Sequence, residues 1–305
     1  MTPSRLRSWL FVPGDDARKR EKAGAVGADV LILDLENAVA GAAKVEARRD
    51  VQAYLKARPA ADRSSALWVR VNPLDQGGGD DLAAVIQAGP DGVMIPKIDD
   101  PDDMLEIDAR LGGLEAEAGL PVGRIGVAPL IETPRAVLGL PRFGRGAPRL
   151  RALTWGAEDL AASLGATRRR EGSAWIGAFA QARSGVLLAA RAAGVDAVET
   201  VYPDFRDLEG LAADSRRASG DGFSGRLAIH PDQVEVLHAA FAPSEADRLQ
   251  ARRILEAFAR SPASGVASLD GAMIDAPHLA WARKILADVP EGADAETMPG
   301  DDPRD

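Results

Sequence analysis

The chain has 305 residues, 46% hydrophobic and 27% charged, enough apolar content to bury a large core as one barrel or two ordinary domains. A formal net charge of -9 leaves no basic footprint for nucleic acid and excludes that partner class. There is no cysteine, and the three histidines (His230, His238 and His278) are not in zinc spacing, so disulfides, thiol nucleophiles and zinc sites drop out and any metal must be held by oxygen.

In chain order, Arg5 and Arg7 precede the apolar run Trp9-Leu10-Phe11-Val12, which stops at Pro13-Gly14. That run is too short for a signal segment or a membrane span, so a cytoplasmic protein without a membrane partner is expected. Residues 8–12 read as a first strand, and similar runs recur at 29–35, 66–72, 92–97, 124–131, 150–156, 197–202 and 226–230. Most are near-continuous apolar runs, as in strands covered on both faces of a parallel sheet. Helical stretches rich in Ala, Leu, Arg and Glu lie between them. The clearest, 177–193, stops at Gly194.

Eight strand–helix units predict a (β/α)₈ TIM barrel over residues 1–241. A doubly wound sheet is the fallback, but no Gly-x-Gly-x-x-Gly follows the first strand. Residues 242–289 read as a C-terminal helical extension, with Ser244 as an N-cap, a loop or turn over 264–275 and a short helix over 276–288. Residues 290–305 are acidic and Pro/Gly-rich, which predicts a disordered tail.

Barrel chemistry sits at the C-terminal ends of the strands. There the sequence places Asp34 and Glu36, Arg70 and Asn72, Lys97, Glu132, Asp159 and His230. Buried charges need a partner or a metal. Glu132 and Asp159 close neighbouring strands, where their mutual repulsion would be relieved by Mg²⁺, a cation that takes one or two carboxylates and completes its shell with substrate oxygens and water. Arg70 would offer a fork to a substrate carboxylate. Glu36, Asn72, Lys97 and His230 are candidate substrate contacts. The plainer alternatives are helix capping or an Arg135 pair for Glu132, an N-cap for Asp159, a structural ion pair for Arg70, and carboxylate pairing for Lys97. Lys97 is the only lysine between Lys56 and Lys284 and could form a Schiff base if desolvated. His230 could be a general base or a structural residue of the last turn.

Seven motifs run in order along the chain: Arg7-Ser8-Trp9-Leu10-Phe11-Val12-Pro13-Gly14, Asp34-Leu35-Glu36, Arg70-Val71-Asn72, Pro96-Lys97, Leu130-Ile131-Glu132-Thr133-Pro134, Gly156-Ala157-Glu158-Asp159-Leu160 and Ile229-His230-Pro231. Together they resemble the citrate lyase beta-chain-like branch of the malyl-CoA lyase and HpcH/HpaI aldolase superfamily. The resemblance implies a Mg²⁺-dependent carbon–carbon lyase, working on CoA or acyl-carrier thioesters such as malyl-, citramalyl- or citryl-CoA, with a small keto acid as the other half. It implies Glu132 and Asp159 as metal ligands and Arg70 as the residue that stabilises the reacting oxygens. It also implies a homo-oligomer (a trimer or hexamer) in which the extension contacts a neighbouring subunit. Asp275, in Gly271-Ala272-Met273-Ile274-Asp275-Ala276-Pro277, resembles a catalytic acid/base supplied in trans; otherwise it is a helix N-cap. Asn37, Arg226 and Glu199 depart from the family pattern, which leaves the substrate open. The alternatives are a metal-dependent aldolase of free keto acids, a malyl-CoA thioesterase and a non-catalytic paralogue that binds acyl-CoA or keto acid.

Overall fold

Apolar runs that must be covered on both faces find that cover in a strand ring wrapped by helices. In the computed structural model, which describes residues 6–144, 147–260 and 265–287, the strands form such a closed ring. β1 (Ser8–Pro13), β2 (Val30–Asp34), β3 (Ala66–Arg70), β4 (Gly92–Ile95), β5 (Gly126–Ile131) and β6 (Ala152–Trp155) pair in succession. A small antiparallel hairpin, β7 (Arg170–Glu171) and β8 (Ala174–Trp175), follows. β9 (Asp196–Glu199) and β10 (Gly225–Ala228) then close the ring onto β1. All eight barrel pairings are parallel, as the predicted (β/α)₈ architecture requires. The β7–β8 hairpin is a finding that strand patterning did not foresee, because two-residue strands leave no periodic signal.

The helices are α1 (Ala17–Gly24), α2 (Lys44–Lys56), α3 (Gly78–Ile86), α4 (Asp103–Glu117), α5 (Pro134–Gly139), α6 (Ala157–Leu164), α7 (Gly177–Ala193), α8 (Leu208–Asp221) and α9 (Gln233–Ala240). α7 ends at Gly194 with φ of 72°, a left-handed stop that glycine adopts without a Cβ penalty.

Strand alternation sorts the side chains into two cores. On β2, Leu31 and Leu33 pack outward against the helices, while Val30 and Ile32 fill the barrel with Trp9, Trp68, Met94, Leu130 and Val198. Trp9 and Trp68 meet edge to face at 5.0 Å between ring centroids. Room for Trp68 comes from Gly92, where an added Cβ would lie 2.5 Å from the indole. With the inner core this full, charged groups can stand only at its rim.

The chain divides into two compact units, Met1–Phe241 and Ala242–Asp305. The second contains α10 (Glu245–Ala259), a hairpin of β11 (Ala267–Leu269) and β12 (Ala272–Ile274), and α11 (Ala276–Ala287). Ser244 caps α10 as the sequence predicts, and Asp247 completes a capping box. Within the segment expected to be a loop or turn over 264–275, the turn is present at Asp270 and Gly271 and is flanked by the two strands of this hairpin. Its turn, with Asp270 and Gly271 at positive φ, pairs Ala267 with Ile274, and both bury against Ile254 and Ala282. The predicted tail at 290–305 lies outside the described residues. Among the described residues, no helix is long and apolar enough to cross a membrane.

Candidate active site

The inward-facing phase of β2 and β3 carries the first charges. Asp34 and Arg70 sit opposite each other in the β2–β3 register, the last pair of that ladder. Arg70 Nε and Nη2 donate to Asp34 Oδ1 and Oδ2 at 2.8 and 2.6 Å, a two-pronged bond that fixes the guanidinium plane. Asp34 also accepts from the backbone N–H groups of Glu36 and Ala38. Arg70 Nη1 lies 3.1 Å from Glu36 Oε2, and the guanidinium stands over the Phe11 ring at 4.5 Å. Burial works against the Arg70 charge, but Asp34, Glu36 and Glu132 outweigh it and hold its pKa above the usual value. Asp34 accepts two of the five N–H groups of the guanidinium, leaving capacity for a negatively charged ligand oxygen.

Lys97 closes the next strand. Its backbone is left-handed, with φ of 53°, which a residue with a Cβ adopts only at a cost. The turn aims its N–H at Glu132 Oε1, 3.0 Å away, while Nζ lies 3.1 Å from Glu36 Oε1 and 3.8 Å from Asp159 Oδ1. Desolvation lowers the ammonium pKa, but Glu36, Asp159 and Glu132 more than compensate, so it is held above the ordinary value. The pairing alternative for Lys97 is therefore the one realised. A Schiff base needs the opposite shift. We expect borohydride with pyruvate or oxaloacetate to leave the protein unlabelled by mass spectrometry; a covalent adduct at Lys97 would contradict this.

Glu132 extends the inward phase of β5 and is only 2% exposed. The helix-capping alternative does not hold: Thr133 caps α5, accepting from the Ala136 N–H. Burial first, then Asp159 and Glu36, push the Glu132 pKa up to about 8 against the opposing pull of Arg70. Asp159 lies in the first turn of α6, just past the strand end where the sequence placed it. The N-cap of that helix is Gly156, which has no side chain to cap it, so Asp159 is not the capping residue. Gly156 is required by close approach: a Cβ there would stand 2.7 Å from Glu132 Oε2.

Two tests bear on a metal. Among the described residues, no group of three or more His, Asp or Glu side chains forms a ready-made cage. A hard dication of the Mg²⁺ kind does not need one, since one or two carboxylates suffice. The donor set fits: the carboxylates of the site offer oxygen ligands, and Glu132 is strained by its acidic neighbours.

The remaining predicted residues lie elsewhere. The Asn72 side chain is occupied: Nδ2 donates to Asp81 Oδ2 and to the Leu35 carbonyl, and Oδ1 accepts from Lys44 Nζ at 2.8 Å. Lys44 also donates to the carbonyls of Leu35 and Glu36, so this cluster braces the loop that presents Glu36. Sequence reasoning missed Lys44, since a single lysine opening a helix carries no pattern. His230 stacks on Phe205 at 4.9 Å, and its Nδ1 accepts from the Asp232 N–H. Asp275 belongs to the second unit, where it pairs with His278 at 2.6 Å just before α11. Outside the barrel, a groove of about 610 Å³ between α5 and α7 is lined by Val137, Leu138, Gly185 and Leu188 among others, with no titratable group.

Fold and site together define a (β/α)₈ barrel whose mouth holds clustered carboxylates beside a fixed arginine. The chain belongs to the HpcH/HpaI aldolase/citrate lyase family, whose profile matches residues 7–231. It is 36% identical over 284 residues to the citrate lyase subunit beta of Escherichia coli K12, covering 92% of each chain. It is 38% identical over 286 residues to a (3S)-malyl-CoA thioesterase of Cereibacter sphaeroides, covering 92% of this chain and 94% of that one. Among solved structures, it resembles CitE from Mycobacterium tuberculosis in complex with magnesium, acetoacetate and coenzyme A. There the TM-score is 0.77 and the identity 33%, over 93% of this chain and 98% of that one. A citrate lyase beta subunit from M. tuberculosis has also been solved with oxaloacetate and magnesium, at a TM-score of 0.64 and 33% identity, over 79% of this chain and 98% of that one.

Proposed function

We propose that the chain is a Mg²⁺-dependent carbon–carbon lyase that cleaves, or in reverse forms, a 3-hydroxyacyl thioester of the malyl-, citramalyl- or citryl-CoA kind. The observation that carries this reading is the pair Glu132 and Asp159 at the barrel mouth, with Arg70 locked beside them by Asp34. Glu132 and Asp159 would hold the metal. When bound, Mg²⁺ supplies a Lewis acid and a template for the oxygens of the keto-acid half.

The protein's own groups do the rest. The N–H groups of Arg70 that Asp34 and Glu36 do not engage neutralise charge growing on the thioester enolate oxygen as the bond breaks. The two-pronged bond to Asp34 keeps that donor in place, so no reorganisation is needed in the transition state. Asp275, provided by a neighbouring subunit of a trimer or hexamer, takes the proton of the 3-hydroxyl and returns it to the enolate carbon. Lys97 keeps Glu36 paired and positions Glu132 through its backbone N–H.

Similarity to a (3S)-malyl-CoA thioesterase favours a second reading, in which the same site ends in hydrolysis. Products decide between them: acetyl-CoA and glyoxylate from malyl-CoA for the lyase, free CoA and malate for the thioesterase. In either case Glu132→Ala and Asp159→Ala are expected to abolish Mg²⁺-dependent turnover while circular dichroism stays native. Unchanged turnover in both variants would remove the metal assignment.

A further inference from the structure

Thr200 follows the last residue of β9 and is 1% exposed, yet its hydroxyl has no hydrogen-bond partner. Alternation fixes where it stands. Glu199 faces outward, accepting from Trp155 Nε1 and pairing with Arg183 on α7, whereas Val198 belongs to the core inside the barrel. Thr200 therefore shares the inward phase of Val198.

The registers place its neighbours. Leu130 pairs with Thr154, and Thr154 with Val198. Extending this register one residue past the end of each strand brings Glu132, Gly156 and Thr200 to the next inward position. Gly156, the middle member, has no side chain, and the Glu132 carboxylate leans toward the space a Cβ would fill. Continued in this way, the register sets Thr200 and Glu132 on either side of a bare glycine, Gly156, the N-cap of α6. A buried hydroxyl without a partner costs stability unless a ligand or water completes it.

We propose that the Thr200 hydroxyl is a substrate-binding group, donating a hydrogen bond to an oxygen of the keto-acid moiety bound over Gly156. The inference rests on the keto-acid reading given above and adds a residue that selects for this half of the substrate. Thr154 Oγ1 is also buried and unpartnered, but it lies one layer deeper, level with Leu130 and Val198. It therefore serves as a control for disturbance of the barrel floor.

The test compares wild type with Thr200→Val, Thr200→Ser and Thr154→Val. Binding of oxaloacetate and of pyruvate in the presence of Mg²⁺ is read by calorimetry, and Mg²⁺ affinity and Tm are measured separately. Thr200→Val should weaken keto-acid binding by about 10-fold or more, the size expected for one hydrogen bond to a charged acceptor. Its Mg²⁺ affinity should be unchanged and its Tm equal to or above that of wild type, since an unsatisfied buried group has been removed. Thr200→Ser should restore binding, and Thr154→Val should bind like wild type. Wild-type affinity in Thr200→Val would overturn the proposal and leave the lyase reading intact, as would an equal loss in Thr154→Val. No keto-acid binding by wild type would overturn the reading itself, and the proposal with it.

Discussion

Glu132→Gln should stabilise the metal-free protein at pH 8 while abolishing its response to Mg²⁺. The Glu132 pKa is raised from 4.5 to about 8, so between those values the native state holds a proton that the unfolded chain has released. The unfolded state binds fewer protons there, and stability falls as pH rises through that window. The loss is on the order of 2–4 kcal/mol for a fully buried carboxyl, a drop in Tm of about 5 °C or more. Mg²⁺ favours the ionised form and should reverse the loss, by about 2.7 kcal/mol at 100 times its dissociation constant. Glutamine keeps the shape of the side chain and carries no charge. The variant should therefore melt at nearly the same temperature from pH 5 to pH 8, above metal-free wild type at the upper end, with no shift on adding Mg²⁺. Thermal melts at three pH values, with and without the ion, measure all of this. A wild-type Tm that climbs from pH 5 to pH 8 without metal would contradict the buried, repelled carboxylate.

Arg70 should separate stability from catalysis. Removing the guanidinium in Arg70→Met leaves Asp34, 2% exposed, without its ionic partner. Stranding a buried charge in this way costs about 3–5 kcal/mol. Arg70→Lys retains a cation near Asp34 but has no planar fork, so it cannot bond both carboxylate oxygens and present donors to a ligand at once. It should fold with a modest fall in Tm and lose about 10²–10³-fold in kcat/KM, the scale of a lost transition-state donor. Steady-state kinetics on the thioester, set beside the melts, distinguish the two. Turnover of Arg70→Lys within a few-fold of wild type would show that the fork is structural only.

The barrel was legible because its strands are buried on both faces and its inner and outer residues alternate. The positions of Glu132 and Arg70 followed directly from that phase, whereas Lys97 reaches the mouth through a left-handed turn past the end of β4. Beyond the strand ends, spacing no longer tells which partners a side chain meets. Asn72 has an identity that suits a substrate contact, but Lys44, Asp81 and the Leu35 carbonyl take up its side chain, and none of these is signalled by spacing. Asp159 is reached by a helical turn rather than by the strand itself. The loop or turn expected over 264–275 holds a hairpin whose strands were not foreseen, because its tight turn rests on Asp270 and Gly271 accepting positive φ, a property of two residues that apolar periodicity does not register. Thr200 was hidden for a different reason: a threonine among apolar residues is ordinary in a strand, and only the geometry shows that its hydroxyl lacks a partner.

The decisive measurement is release of acetyl-CoA from malyl-, citramalyl- and citryl-CoA, assayed with Mg²⁺ and again with chelator. A Mg²⁺-dependent lyase releases the acyl-CoA and a keto acid in equal amounts from at least one of the three, and chelator stops it. Release that persists in chelator, or no acyl-CoA from any of the three, would contradict a metal-dependent carbon–carbon lyase at Glu132, Asp159 and Arg70.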